Sequence, residues 1–268
     1  MAETAGGRIL LSTYGSYQLI TRDMTRSIAN VARQPMVERE TAYYLENITK
    51  VKRIEDFVGN ERLFRYAMKA HGLGDMAYAK AFMVKVLEGG VDNPESFANK
   101  LTDKRYRQFA ETFNFARHGE TATIFTKTRQ GTVDLYLRQT LEEDAGRQNE
   151  GVRLALYFER KAGSIANAYE ILADPALAKV VRTALNLPEA FATIDVDKQA
   201  ALLEERLDFE TFNDPHALSR FLERFTTLWE VNNPGLGAPQ SPILALFGQP
   251  AEFGVSTELL LTMQKLKG

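Results

Sequence analysis

Four times along the chain a short polar residue stands directly before proline: Asn93-Pro94, Asp174-Pro175, Asp214-Pro215 and Ser241-Pro242. This pairing suits the start of a helix. The side-chain oxygen accepts from an orphan amide of the first turn, and proline at the first helical position lacks the N–H that would otherwise go unpaired. Between these starts, apolar residues recur at spacings of three and four, the period of an amphipathic helix. Met24, Ile28 and Val31 mark a first helix, ended by Pro35. Tyr43, Tyr44, Ile48 and Val51 mark a second, and Leu63, Tyr66, Ala67 and Ala70 a third, closed by Gly72. Glycine is the usual residue where a helix ends in the left-handed conformation. Ala79, Phe82, Met83, Val86 and Leu87 form a fourth, closed by Gly89-Gly90; Phe97 and Leu101 fall on a short helix, and Tyr106, Phe109, Phe113 and Phe115 follow. Only Thr121–Thr128 alternates with β-branched residues. A lone strand has no pairing partner, so an extended connecting segment is expected there. The expected fold class is all-α and multi-helical.

The chain also resembles itself. Offset by 114, residues 39–75 align without a gap on 153–189: Arg39 on Arg153, Tyr43 on Tyr157, Tyr44 on Phe158, Asn60 on Asp174, Leu63 on Leu177, and Leu73 on Leu187. Offsets of 120 and 121 carry the match onward, setting Phe82 on Leu202 and Asn93-Pro94 on Asp214-Pro215. Segments that align in the same order, caps included, point to a tandem repeat of a short-helix unit. The expected organisation is an N-terminal segment and first helix over 1–38, a repeat unit over 39–115, and a connector with one helix (Val133–Glu143) over 116–152. A second unit follows over 153–235, then a loop and terminal helix over 236–268. That helix, Thr257–Lys267, sets Leu259, Leu260, Met263 and Leu266 on one face. These four are the candidate partner-binding residues, and docking back on the chain's own core is the other use of such a face.

Composition narrows the chemistry. Cysteine is absent from the 268 residues, which removes disulfides, thiolate metal sites and cysteine nucleophiles. The formal net charge is -2, which leaves no electrostatic footprint for nucleic acid or an anionic membrane. The charge is uneven: residues 1–134 hold 20 Lys+Arg and 16 Asp+Glu, and residues 135–268 hold 13 and 19. The basic clusters at Lys50, Lys52, Arg53 and at Lys104, Arg105, Arg107 are interleaved with carboxylates and do not form a phosphate-tracking stripe. No run of residues reaches the ~20 apolar positions needed to span a bilayer. The first residues lack the ordered parts of a secretory signal, so a cytoplasmic location is expected, with export without a cleaved signal as the alternative.

Catalytic and cofactor motifs are missing. The three histidines, His71, His118 and His216, do not share metal-ligand spacing, and His71 is placed to complement the carbonyl end of a helix. Neither a phosphate-binding glycine loop nor a nucleophile elbow occurs. Glu142-Glu143-Asp144 reads as a solvated turn ending a helix at Gly146, and Glu204-Glu205 as part of a polar face. The reading assigns no catalytic residue, metal or cofactor.

Longer words in the sequence carry a family resemblance. Glu40-Thr-Ala-Tyr-Tyr-Leu-Glu-Asn-Ile48, Arg62 through Leu73, Asp75-Met-Ala-Tyr-Ala-Lys-Ala-Phe82 and Ser96-Phe-Ala-Asn-Lys-Leu101, with Tyr17–Ile20 and Glu150–Tyr157, resemble an alphaproteobacterial family known as domain of unknown function twelve-seventeen. The resemblance implies an all-helical fold and genes that stand among flagellar genes, and it brings no catalytic motif. Three functions follow as expectations. The first is a non-enzymatic helical scaffold or adaptor, accessory to flagellar assembly or motility, with protein partners. The second is an exported flagellar component. The third is an enzyme with a dispersed site, which requires a concave pocket between the units and a buried carboxylate or lysine in it.

Overall fold

The computed structural model describes residues 11–234. Ser241-Pro242 and the terminal segment with Leu259, Leu260, Met263 and Leu266 lie outside them. Among the described residues all regular structure is helical, as the periodicity requires, and fifteen α-helices are joined by short turns. Three helices open the chain: α1 (Thr13–Thr21), α2 (Met24–Ala32) and α3 (Pro35–Asn47). The first half continues with α4 (Ile54–Gly59), α5 (Glu61–Ala70), α6 (Lys80–Glu88), α7 (Phe97–Lys100), α8 (Lys104–Thr112) and α9 (Phe115–His118). A long central pair follows, α10 (Thr132–Gln148) and α11 (Glu150–Ala162), and then α12 (Ala168–Leu172), α13 (Pro175–Ala184), α14 (Val196–Arg206) and α15 (Pro215–Asn232).

Two hydrophobic cores result. The first gathers α2 through α10 around Tyr44, Phe57, Phe64, Phe109 and Phe113, all 0% exposed. The Phe57 and Phe113 rings lie 4.7 Å apart and the Phe57 and Phe64 rings 5.8 Å apart, edge to face. Each such ring contributes about 1.5–3 kcal/mol by leaving water. The second core gathers α11 through α15 around Phe158, Ile171, Val180, Val181 and Phe225, with Trp229 at its edge. The antiparallel α10 and α11 form the seam between these lobes. Tyr17 on α1 belongs to the second core, while Val31 on α2 belongs to the first.

The same local devices build both lobes at the 114-residue offset. Asn60 caps α5 by accepting from Leu63 N (3.2 Å), and Asp174 caps α13 by accepting from Leu177 N (3.2 Å). Each capping side chain also meets a tyrosine two helices back. Asn60 Nδ2 donates to the Tyr43 hydroxyl at 3.2 Å, and the Tyr157 hydroxyl donates to Asp174 at 2.5 Å. Both helices end in the left-handed conformation, at Gly72 (φ 69°) and at Asn186 (φ 51°). Leu73 N then reaches back to Met68 O (2.8 Å) and Leu187 N to Arg182 O (2.9 Å), the six-to-one bond that closes a helix.

Several expectations are corrected. Pro94 does not start a helix: Asn93 accepts from Glu95 N (2.9 Å) in a turn, and α7 begins at Phe97 behind Ser96. Pro35 opens α3 instead of merely ending the helix before it, so a boundary at residue 39 falls inside α3. Thr13–Thr21 is a helix that the periodicity did not reveal, capped by Ser12. Thr121–Thr128 is not extended. It coils through tight turns into a wide π-type turn, Lys127–Gly131, because Thr123 and Thr128 are fully buried and bond backbone carbonyls nearby. The central helix does not stop at Gly146 but runs to Gln148.

Candidate functional site

The seam between the lobes is where charge is concentrated. Glu142, read as solvated, is 1% exposed. Its position on α10 faces α11, where Arg160 donates to both carboxylate oxygens, Nε to Oε1 at 2.7 Å and Nη2 to Oε2 at 2.8 Å. Arg138, one turn earlier on α10, donates to Oε1 at 3.1 Å and also reaches Glu159 (3.2 Å) and the Leu156 carbonyl (3.0 Å). A carboxylate in so dry a place requires this enclosure, because an unpaired buried charge costs several kcal/mol. Its neighbours in the acidic run are spoken for too: Glu143 pairs with Lys69 at 2.9 Å, and Asp144 accepts from Gln34 at 2.8 Å. The Glu204-Glu205 pair is exposed on α14, as expected.

On the first lobe's side of the seam, between α5, the turn after it and α10, lies a groove of about 590 Å³. Arg65 and Lys69 project into it from α5, Gln139 and Glu143 from α10, and Asp75 and Tyr78 from the chain after α5. Sequence dictates this shape. Gly72 permits the left-handed turn that ends α5, and its carbonyl is held by Arg105 Nη1 at 2.5 Å. Arg105 is itself anchored on Asp103 through three hydrogen bonds of 2.7–3.1 Å. Burial raises the Asp103 pKa, but the hydrogen bonds and charge of Arg105 outweigh it and hold the carboxyl below its ordinary range. The turn is thereby fixed, and Tyr78 beyond it stands 80% exposed on the groove's wall.

Next to Arg160 on α11 stands Lys161, which forms no ion pair among the described residues. Burial, and then the neighbouring Arg160, push its pKa below the ordinary lysine value. His71 is nearby and does not act as a carbonyl partner. Its Nε2 is sealed from solvent without a hydrogen bond, and its ring packs edge-on against Phe109, 5.3 Å between centroids. Burial, and then the charges of Lys127, Lys161 and Arg160, lower its pKa to about 3. His118 packs against Phe125 and His216 is exposed. Among the described residues, no three His, Asp or Glu side chains converge as metal ligands. No helix among them is long and apolar enough to cross a membrane.

The groove's residues were not singled out by sequence reasoning. Arg65, Lys69, Asp75 and Gln139 are ordinary solvent-face residues of their own segments, and only packing α5 against α10 brings them together. The retrievable signal was the word Gly72-Leu-Gly-Asp75, a turn with two glycines set between long helical words. The four apolar residues proposed for partner binding lie outside the described residues.

No match is found among curated proteins. The chain is similar to a protein of Agrobacterium tumefaciens, AGR_C_984, known from an X-ray crystal structure. The two are 50% identical, the match covers 84% of this chain and 97% of that one, and the TM-score is 0.77. A family profile described as a protein of unknown function, DUF1217, matches residues 70–218. That span runs from the end of α5, where the groove begins, through the seam to the first turn of α15, so more than half of the chain fits the profile, and the chain belongs to the DUF1217 family.

Proposed function

We propose that this chain is a non-enzymatic helical adaptor of the cytoplasm, accessory to flagellar assembly or motility, which holds a segment of a partner protein in the groove beside the seam. The observation that carries this reading is the wall of that groove. An 80%-exposed tyrosine stands over a floor of mixed charge, Arg65, Lys69, Asp75 and Glu143. Exposed aromatic anchors beside paired polar groups are what protein interfaces use. Two lobes built with the same caps and tyrosine contacts support the view that the chain is a tandem repeat serving as a scaffold. The flagellar setting rests on the gene placement that the family resemblance implies.

The test is affinity capture of the full chain from native cells after cross-linking, with cross-linked residues mapped by mass spectrometry. Flagellar basal-body, motor or export components joined to α5, α10 or the Asp75–Tyr78 turn, and lost with Tyr78→Ala, support the adaptor. The reading fails if recovery matches a tag-only control or is unchanged by Tyr78→Ala.

Lys161 favours a second reading, an enzyme with a dispersed site, since a lysine of lowered pKa is a proton carrier or nucleophile. Its absence from the groove's lining counts against that role, as does the pairing of Lys69 with Glu143. Loss of partner capture in Tyr78→Ala with no effect of Lys161→Met separates the two.

A further inference from the structure

The ion pairs of this protein are unevenly distributed. Among the described residues, every one joins side chains between Glu40 and Glu170. The second lobe beyond has a different surface. Residues 189–214 contain eight carboxylates against two cations, Lys198 and Arg206, and all eight acidic residues are exposed. Three large apolar side chains stand within this acidic surface: Tyr169 (50% exposed), Ile194 (43%) and Val196 (50%). They are neighbours. The Tyr169 hydroxyl donates to Asp197 at 3.0 Å, one residue beyond Val196, and α12 packs on α14. Asp197, through its hydrogen bond and charge, and then burial, Glu204 and Asp195 raise the Tyr169 pKa. The backbone here is firmly placed: Gln199 Nε2 donates to the Ile194 carbonyl at 2.7 Å, and Asp195 caps α14. The result is a rigid apolar face with a rim of carboxylates that lack cations.

We propose that the chain's own terminal segment, residues 257–267, covers this face. The segment sets Leu259, Leu260, Met263 and Leu266 at helical spacing and adds Lys265 and Lys267, the two cations that an acidic rim would select. Reach permits it. α15 follows α14 through the short turn Phe209–Asn213, and its 18 residues make it about 27 Å long. Twenty-two residues, 235–256, separate α15 and its turn from the segment, and a chain of that length can reach at most about 70 Å. Tethering then replaces a bimolecular encounter with an intramolecular one. Charge also chooses this face over the other exposed apolar pair, Ile124 and Phe125, which has Lys127 and Arg129 beside it. The terminal segment thereby becomes a latch on the second lobe, and a surface that would otherwise invite unrelated apolar partners stays covered.

The absence of native cysteine makes the test clean. The full chain carrying Ile194→Cys and Met263→Cys is oxidised mildly, in parallel with Ile124→Cys and Met263→Cys; positions 124 and 194 are similarly exposed, at 47% and 43%. The expected result is an intramolecular disulfide that forms about tenfold faster at 194 than at 124, with the product monomeric by size-exclusion chromatography. Adding Lys265→Glu and Lys267→Glu should lower the 194 rate by about tenfold, the size of two reversed surface ion pairs, and 0.5 M salt should act in the same direction. Equal rates at the two positions, no disulfide at 194, or indifference to the lysine reversals would overturn the proposal. A covalent dimer would assign the face to a second copy instead.

Discussion

Replacing Glu142 by glutamine removes one charge from the centre of the molecule and leaves two guanidiniums facing a neutral amide. The amide oxygen can take the place of Oε1, which accepts from Arg160 at 2.7 Å and from Arg138 at 3.1 Å, but the NH2 that replaces Oε2 meets Arg160 Nη2, now 2.8 Å away, donor against donor. Removing one partner of a buried pair typically costs about 3–5 kcal/mol. Two features here moderate that. Arg138 keeps Glu159 and the Leu156 carbonyl, and Arg160 keeps the Tyr157 ring at 5.1 Å and is 22% exposed on its side chain. We therefore expect Glu142→Gln to cost about 2–3 kcal/mol. At about 2–4 °C per kcal/mol for a chain of this size, the melting midpoint should fall by roughly 4–12 °C. Glu205→Gln, on the exposed face of α14, serves as the control and should change stability by less than about 0.5 kcal/mol. The assay is urea unfolding followed by two probes. Trp229 is the sole tryptophan and reports the second lobe, while far-UV circular dichroism reports all helices. Because Glu142 bridges α10 of one lobe to α11 of the other, the variant should also separate the two transitions. A Glu142→Gln protein as stable as Glu205→Gln, with coincident transitions, would refute the view that this ion cluster holds the lobes together.

Acid should weaken the fold before its carboxylates titrate. The folded pKa of His71 lies near 3, below its ordinary 6.5, so the unfolded chain binds the extra proton first. Stability is then complete above pH 6.5 and declines as pH falls toward 3, by up to about 1.4 kcal/mol per pH unit; His71→Phe should flatten that slope between pH 6.5 and 5 in a denaturation series. Gly151→Ala would place a methyl group 2.8 Å from Trp229 Cγ. The loss should be about 1–3 kcal/mol, exceeding alanine's helix advantage of about 1, with a shifted tryptophan emission maximum. The two left-handed helix ends should respond oppositely to thermal melting: Gly72→Ala should destabilise by about 1–2 kcal/mol, and Asn186→Gly should be neutral or slightly stabilising.

What the sequence made legible was what local physics decides. Helix starts at Asp174 and Asp214 follow from one carboxylate meeting one amide, and the end of α5 at Gly72 follows from a missing Cβ. Pro94 misled because Asn93 can cap a turn as readily as a helix, and only the chain beyond decides between them. Glu142 misled for the opposite reason. Its apparent exposure came from its acidic neighbours, while its burial comes from Arg160, a residue 18 positions away on another helix. The α1 helix was hidden because Gly15 and three Ser/Thr residues make it a poor helix alone, and packing on α11 and α15 supplies what propensity does not. The groove was hidden for the same reason as Glu142, since its residues become neighbours only when α5 meets α10. Tyr44 and Phe158 hold equivalent positions, yet only Tyr44 needs its hydroxyl, which donates to the Thr128 carbonyl at 2.6 Å in the π-type turn.

The tie between Thr13 and the end of α15 bears on how the protein is made. Thr13 N donates to Glu230 at 2.8 Å across 217 positions of sequence, and the Thr13 hydroxyl accepts from Asn149. A ribosome adding about 5–20 residues per second needs roughly 10 to 45 s to cover that distance. Throughout that interval α1 has been synthesised and α15, one of the two helices it rests on, has not. The first lobe can close during elongation, but the second must wait for its own final helix before the opening one has a seat. A nascent chain stalled before residue 230 would carry Tyr14 and Tyr17 covered by α11 alone, and chaperones that patrol the exit tunnel would find one side of α1 exposed until α15 arrives.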